Sequence, residues 1–289
     1  MSKLALGTVQ FGGQYGVANV SGPVAQSEIA AILQQARHAD IDTLDTAIAY
    51  GNSEASLGYA GVSTWRVISK LPSLPTDVSD VARWAETQVF GSLQRLKKTQ
   101  LDGLLLHRSA DLLGPRGKSV IEALAVLKSR GWIGCAGISI YDPAELDSVW
   151  PVWRPELVQA PCNVFDRRLQ RTGWLTTLHR HGVRIHLRSV FLQGVLLMPA
   201  ARRPAWFGRW QELFDRWREW CAKHDSSPLA VALAFARNLP GIERLVIGVD
   251  SAGQLQEVIG AAATVVPAPP EDLCSEDLEL IEPSRWKVT

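Results

Sequence analysis

The chain has 289 residues and carries 30 Lys/Arg against 29 Asp/Glu, with 46% hydrophobic and 8% aromatic residues. That length holds one large domain or two small ones, and the charge balance excludes a surface built for non-specific binding to nucleic acid or an anionic membrane. The apolar content excludes a disordered or collagen-like chain, and four scattered cysteines without a CxxC pair exclude a disulfide-stapled module or a zinc ribbon.

Apolar periodicity alternates between short strand-like runs and longer amphipathic stretches. In chain order it predicts a strand at Leu4–Gly7, a helix at Ser27–Ala39, strands at Thr43–Thr46 and Arg66–Ser69, and a helix at Val81–Lys97. A strand at Leu101–Leu106, a helix at Ser119–Arg130, a strand at Ile133–Ile138 and a helix at Pro143–Val149 follow. Next come a strand at Leu157–Ala160, a helix at Gly173–His181, a strand at Arg184–Leu187 and helices at Trp206–His224 and Pro228–Arg237. The last pair is a strand at Leu245–Ile247 and a helix at Ser251–Ala263. Ser27, Asp80 and Asp142 stand where N-caps belong, and Gly131 and Gly182 where helices end. The longest apolar stretch, Leu229–Ala236, is too short to cross a bilayer, and the glycine-broken N-terminus is no secretory signal, so the cytoplasm is the expected location.

Eight strand-like runs alternating with helices predict an α/β fold, a single-domain (β/α)8 TIM barrel over residues 1–289, with 264–289 as a C-terminal tail. An open doubly wound sheet needs GxGxxG after an early strand, and the glycines of GTVQFGGQYG lack that spacing. Charge is uneven along the chain. Asp166–Lys223 holds 12 Lys/Arg against 4 Asp/Glu, and Asp250–Thr289 holds 2 against 8. The basic block reads either as a solvated surface or as a seat for an anionic ligand such as a dinucleotide on the late barrel loops.

Active sites of such barrels sit at the C-terminal strand ends. Three consecutive predicted strands end there with Asp45 (and Tyr50 five residues on), Lys70 and His107. An acid, a phenol, an amine and an imidazole thereby share one rim. A lyase or aldolase using Lys70 as a Schiff-base amine is one chemistry this set permits, although Asp45 would keep Lys70 protonated and poorly nucleophilic.

The segments LGTVQFG (Leu6–Gly12), IDTLDTAIAYGNSEASLG (Ile41–Gly58), ISK (Ile68–Lys70), LLLH (Leu104–His107), GISIYDPAEL (Gly137–Leu146), VQAPCNVFDRR (Val158–Arg168), RSVFLQGVL (Arg188–Leu196) and VIGVDSAGQLQEV (Val246–Val258) occur in that order. In them the chain resembles the aldo-keto reductase family over nearly its whole length. The resemblance implies a catalytic tetrad of Asp45, Tyr50, Lys70 and His107. Hydride addition builds negative charge on the carbonyl oxygen, so Tyr50 would protonate it. The Lys70 ammonium would stabilise the resulting tyrosinate, Asp45 would hold Lys70, and neutral His107 would orient the carbonyl.

For the cofactor, the resemblance implies NADP(H), with NAD(H) as the competitor. The residues it brings to the nucleotide are Gly7, Thr8, Ser139, Gln159, Arg188, Ser189, Leu192, Gly194, Gly248, Ser251, Gln254 and Glu257. Ser139 and Gln159 would hold the carboxamide, with Asn163 near them in the motif, and Ser189 with the amides around Leu192–Gly194 would cradle the pyrophosphate. The pattern departs at Ile140, where Asn is usual, and at Arg188, where an aromatic ring usually stacks on the nicotinamide. Gly248 and Gln254 stand where many members carry Lys and Arg, and Asp250 would repel a 2′-phosphate. Gln10, Tyr15, Arg108 and Tyr141 are the expected substrate-facing residues beside Tyr50, with Trp174 and Trp206 as further candidates. The expected partner is a small carbonyl compound, without nucleic acid, membrane or metal. A cofactor-binding sensor of the same fold with little turnover is the alternative.

Overall fold

The computed structural model describes residues 3–19 and 22–287. Eight parallel strands close into a barrel: β1 (Leu4–Gly7), β2 (Thr43–Asp45), β3 (Arg66–Leu71), β4 (Gly103–Leu106), β5 (Ala136–Ser139), β6 (Leu157–Pro161), β7 (Arg184–Arg188) and β8 (Ile242–Gly248). Strands neighbour one another in sequence order, and β8 closes on β1 with Gly7 opposite Gly248. Helices lie between them, so the fold is a single-domain (β/α)8 barrel, as the alternation of runs predicts.

Two apolar layers hold it. Inside the barrel, Ile68, Leu105, Cys135 and Leu157 form a small buried cluster. This interior is tightly filled: a Cβ at Gly137 would lie 2.7 Å from Cδ2 of the Leu105 side chain. The larger core fills the space between strands and helices and includes Leu44, Val67, Leu104 and Leu106 from the sheet and Ile32, Val89 and Leu127 from the helices. Helix ends obey their caps in part. Asp80 accepts from the Arg83 amide (2.9 Å) at the start of Val81–Leu96, and Ser227 caps Pro228–Arg237 through the Ala230 amide. Gly131 and Gly182 take positive φ just past their helices, as expected.

Several boundaries differ from expectation. Ser27 lies inside the first helix, Gln26–His38, whose N-cap is Ala25. A helix at Ser53–Ala60 was hidden because its buried residues include Ser53, Glu54 and Gly58, which carry no apolar stripe. Trp206–His224 is two pieces, a 3-10 turn Ala205–Trp210 and an α-helix Gln211–Lys223, set off by Pro204. Of the expected strand at Ile133–Ile138 only Ala136 onward belongs to β5, Ile133 making one isolated bridge to Leu101. Strand β8 begins earlier, at Ile242, because Glu243 and Arg244 are paired charges: Arg184 grips Glu243 through two bonds (2.6 and 3.1 Å), and Arg244 donates to Thr43 and Asp42.

The stretch after Ala263 folds back on the barrel. Leu273, Leu280 and Ile281 are buried, and the Trp286 ring meets Phe207 edge-on at 4.9 Å. Its acidic residues take up part of the basic block: Arg168 pairs with Glu282, Arg171 with Glu276, Arg209 with Asp277 and Glu279, and Arg216 with Asp272. Pairing with the chain's own acidic end accounts for Arg168, Arg171, Arg209 and Arg216, so both readings of that block stay open for the rest. Three cysteines, Cys135, Cys162 and Cys221, are buried, and Cys274 is half-buried. Among the described residues no helix is long and apolar enough to cross a membrane.

Candidate active site

The ends of β2, β3 and β4 bring Asp45, Lys70 and His107 to one mouth, with Tyr50 in the turn after β2. Lys70 is buried and donates to Asp45 Oδ1 (2.6 Å) and to the Thr46 carbonyl (2.8 Å). Its Nζ lies 5.0 Å from the centre of the Tyr50 ring. Burial works against the ammonium, but the Asp45 carboxylate and then Tyr50 outweigh it, so Lys70 is held above the ordinary lysine pKa. The His107 ring meets Tyr50 edge-on, 5.9 Å between centres. Its pKa is lowered to about 4, chiefly by burial and then by the positive charges of Lys70 and Arg188, Asp45 opposing them and Arg108 adding a little. The imidazole is therefore neutral near pH 7, a hydrogen-bond donor without charge.

Backbone contacts place the phenol. The loop after β1 presses directly on the turn that carries Tyr50: a Cβ at Gly12 would lie 1.8 Å from the Tyr50 carbonyl oxygen. Gly51, at φ +53°, comes as close from the other side, its Cβ position 2.5 Å from the Gly12 oxygen. Thr8 is fully buried and donates its hydroxyl and its amide to the Asp45 carbonyl (3.0 and 2.9 Å), so it supports Asp45 from behind. Gln159 donates to Asp45 Oδ2 (2.6 Å) and accepts weakly from Ser139 (3.5 Å), a link that sequence patterning did not reveal. Both carboxylate oxygens are thus engaged, one by Lys70 and one by Gln159.

The residues expected at the nucleotide surround the same mouth. Gly7 and Gly248 pair in register, and a Cβ at Gly248 would lie 2.3 Å from the Gln10 amide nitrogen. The Gln10 Oε1 is buried without a hydrogen-bond partner among the described residues, an orphan that asks for a donor. After β7, Ser189, Leu192 and Gln193 take positive φ (58°, 49° and 50°) and Gly194 follows at 87°. Such strained backbone persists where surroundings over-determine it, commonly at ligand cradles. Asn163 fixes this loop by donating to the Ser189 carbonyl (3.0 Å). These features fit a dinucleotide laid from β6 and β7 towards β8.

At the far end Ser251 caps the helix Ala252–Ala262 by accepting from the Gln254 amide, while the Gln254 side chain accepts from the Asp250 amide (2.8 Å). Gln254 is therefore turned back on its own loop, and Glu257 is exposed one turn on. Asn19, from the loop after β1, donates to Asp250 Oδ1 (3.2 Å), and burial raises the Asp250 pKa. Arg188, half-buried at the end of β7, donates to the Ile140 carbonyl (2.9 Å) and Ser189 Oγ (3.3 Å). Tyr15 accepts from Gln193 (3.4 Å). Trp174 is used in packing, donating to Asp147 and stacking edge-on against Trp150, and Trp206 packs on Trp210.

The fold is similar to that of an aldo-keto reductase of Bacillus halodurans in its holo form, with a TM-score of 0.75 at 20% identity over 99% of this chain and 95% of that one. It is similar also to a glycerol dehydrogenase of Gluconobacter oxydans, with a TM-score of 0.71 at 20% identity over 94% of this chain and 89% of that one. No curated protein sequence matches the chain. The sequence does match the model of the Aldo/keto reductase family over residues 3–272, a span that takes in all eight strands and every residue of the mouth described above. On that match, and with the barrel to go with it, the chain belongs to the aldo/keto reductase family.

Proposed function

We propose that the chain is a nicotinamide-dependent oxidoreductase that reduces an aldehyde or ketone to the alcohol, or runs the reverse, with Tyr50 as the general acid. The observation that carries this reading is the buried Lys70–Asp45 pair set beneath the Tyr50 ring, with a neutral His107 beside it. The nicotinamide, when bound, supplies the hydride to the carbonyl carbon and is oxidised. Tyr50 gives its proton to the carbonyl oxygen. Lys70, kept charged by Asp45, stabilises the phenolate left behind, and His107 donates to the same oxygen to fix its direction.

Gly7, Gly248, Ser189 and the Leu192–Gly194 turn would hold the dinucleotide, Ser139 and Gln159 its carboxamide. NADP(H) is the cofactor the family resemblance favours. One observation favours NAD(H): the adenosine end offers Asp250 and a folded-back Gln254 in place of cations. Free cysteines throughout support a reducing, cytoplasmic location.

The test is Tyr50→Phe. Turnover of a generic aromatic aldehyde should fall by about a hundredfold or more, the usual worth of a positioned acid, while both nucleotides bind as tightly as to the wild type by fluorescence titration. Wild-type turnover by the variant, or failure of NADPH and NADH alike to bind, would sink the reading.

A further inference from the structure

Among the described residues, two guanidinium groups at this mouth have no carboxylate paired with them. Arg108 directly follows His107 at the end of β4, and Arg188 ends β7. Both lie over the ring of Tyr141, from the loop after β5, at 5.1 and 4.7 Å from its centre. Among the described residues neither has a carboxylate within ion-pair distance, whereas Lys70 has Asp45 and Arg168 has three carboxylates around it. The acids close by are otherwise engaged. Glu145 accepts the Tyr141 and Asp142 amides (2.7 and 2.8 Å) and the Ser109 hydroxyl, and Asp111 accepts the Leu74 amide (3.1 Å).

Arg188 is held by neutral acceptors, the Ile140 carbonyl and Ser189 Oγ, so its plane is turned across β6 towards β5 and Tyr141. Arg108 is exposed, and its side chain makes no hydrogen bond among the described residues. Tyr15 reaches the loop after β7, where its hydroxyl accepts from Gln193 (3.4 Å), and Tyr50 lies edge-on to His107, next to Arg108 in the chain.

The resemblance brings Arg188 to the nucleotide, but its guanidinium is turned to Ile140 and Tyr141 beside Arg108, and a neutral carbonyl substrate has no use for two cations there. An anionic one does: guanidinium forks match carboxylate and phosphate oxygens, and an aromatic platform restricts where the fork points. We propose that Arg108 and Arg188, on the Tyr141 platform, form an anion-binding subsite that selects carbonyl substrates bearing a carboxylate or phosphate a few bonds from the reacting carbon. The proposal rests on the reductase reading of Tyr50 and adds the substrate class to it.

Its test compares 4-formylbenzoate with methyl 4-formylbenzoate, equal in ring and aldehyde but not in charge, and adds 4-formylphenyl phosphate as the phosphate arm. Wild-type kcat/KM should favour the carboxylate over the ester by about tenfold or more, as a charge-assisted hydrogen bond implies. Whichever anion gives the larger preference identifies the group. Arg108→Met and Arg188→Met should each pull the ratio towards one, and Arg108→Lys should restore part of it, with thermal melts confirming folded variants. A wild-type ratio near one, or a ratio unmoved in both methionine variants, overturns the proposal. Should no aldehyde be reduced at all, the reductase reading falls instead. The subsite then stands or falls on benzoate and inorganic phosphate quenching the wild-type tryptophan fluorescence but not that of Arg108→Met.

Discussion

Asp45 spends one oxygen on Lys70 and the other on Gln159, so the carboxylate cannot swing away from the ammonium it keeps charged. The same arrangement keeps Lys70 from serving as a neutral amine, which argues against Schiff-base chemistry at this barrel mouth. His107 shows the complementary effect, neutral because it is buried among cations. Its pKa of about 4 lies below the ordinary histidine value of 6.5, so between those limits the unfolded chain binds a proton that the native site refuses. The stabilisation is full above pH 6.5 and is lost as the pH falls towards 4, an effect of at most about 3 kcal/mol. His186, buried on β7 3.5 Å from Glu243, shifts the same way because burial outweighs that carboxylate. Thermal melts between pH 7 and 4 should therefore show a shallower fall for His107→Gln than for the wild type. An equal slope would mean that His107 titrates normally. Spacing along the chain identified the four polar residues of this mouth, but not Gln159 as the second ligand of Asp45 nor the Gly12–Tyr50 contact. Both depend on strands or loops far apart in sequence.

At the level of elements, the helix Ser53–Ala60 deserves its place through one carboxylate. Glu54 is buried and accepts from Ser69 on β3 (2.7 Å), from Ser92 on the helix Val81–Leu96 (2.7 Å), and from Arg95 through two bonds (2.9 and 2.7 Å). A single side chain thus ties helix to strand to helix, next to the turn bearing Tyr50. The approach is close enough that a Cβ at Gly58 would lie 1.9 Å from the Arg95 carbonyl oxygen. Arg95 is 39% exposed and keeps access to water, but removing the Glu54 carboxylate leaves the buried Ser69 and Ser92 hydroxyls without an acceptor, at about 1–3 kcal/mol each, so Glu54→Ala should lower the urea midpoint strongly. A loss under about 1 kcal/mol would place the pair among ordinary surface bridges. This helix escaped periodicity for a physical reason: its inward face is polar, and polar residues are buried only when partners elsewhere satisfy them. The buried charges at the start of β8 escaped for the same reason.

Across the whole molecule the question is what docks the segment after Ala263. Both apolar burial and ion pairs contribute, and their magnitudes decide. Leu280 is fully buried, so Leu280→Ala should cost about 2–5 kcal/mol with little dependence on salt. Arg209, half exposed and paired with Asp277 and Glu279, should cost no more than about 1 kcal/mol as Arg209→Gln, and less in 1 M NaCl. Urea titrations at low and high salt distinguish the two. A larger loss for the arginine would make the segment an electrostatic clasp.

The sequence alone determined the order of strands and helices, because eight alternating strand and helix runs without GxGxxG after an early strand match a βα barrel rather than an open doubly wound sheet at this length. It determined too which polar residues meet at one rim, because parallel strands all end on the same face. Only the tertiary structure decided where charge is answered. The chain is nearly neutral in sum, yet Arg168, Arg171, Arg209 and Arg216 of its basic third quarter pair with its acidic end, Arg168 reaching Glu282 across more than a hundred residues. Arg108 and Arg188 face the mouth without a carboxylate partner among the described residues. No periodicity reports such a difference, since it depends on which distant carboxylate folding brings within reach and which it does not.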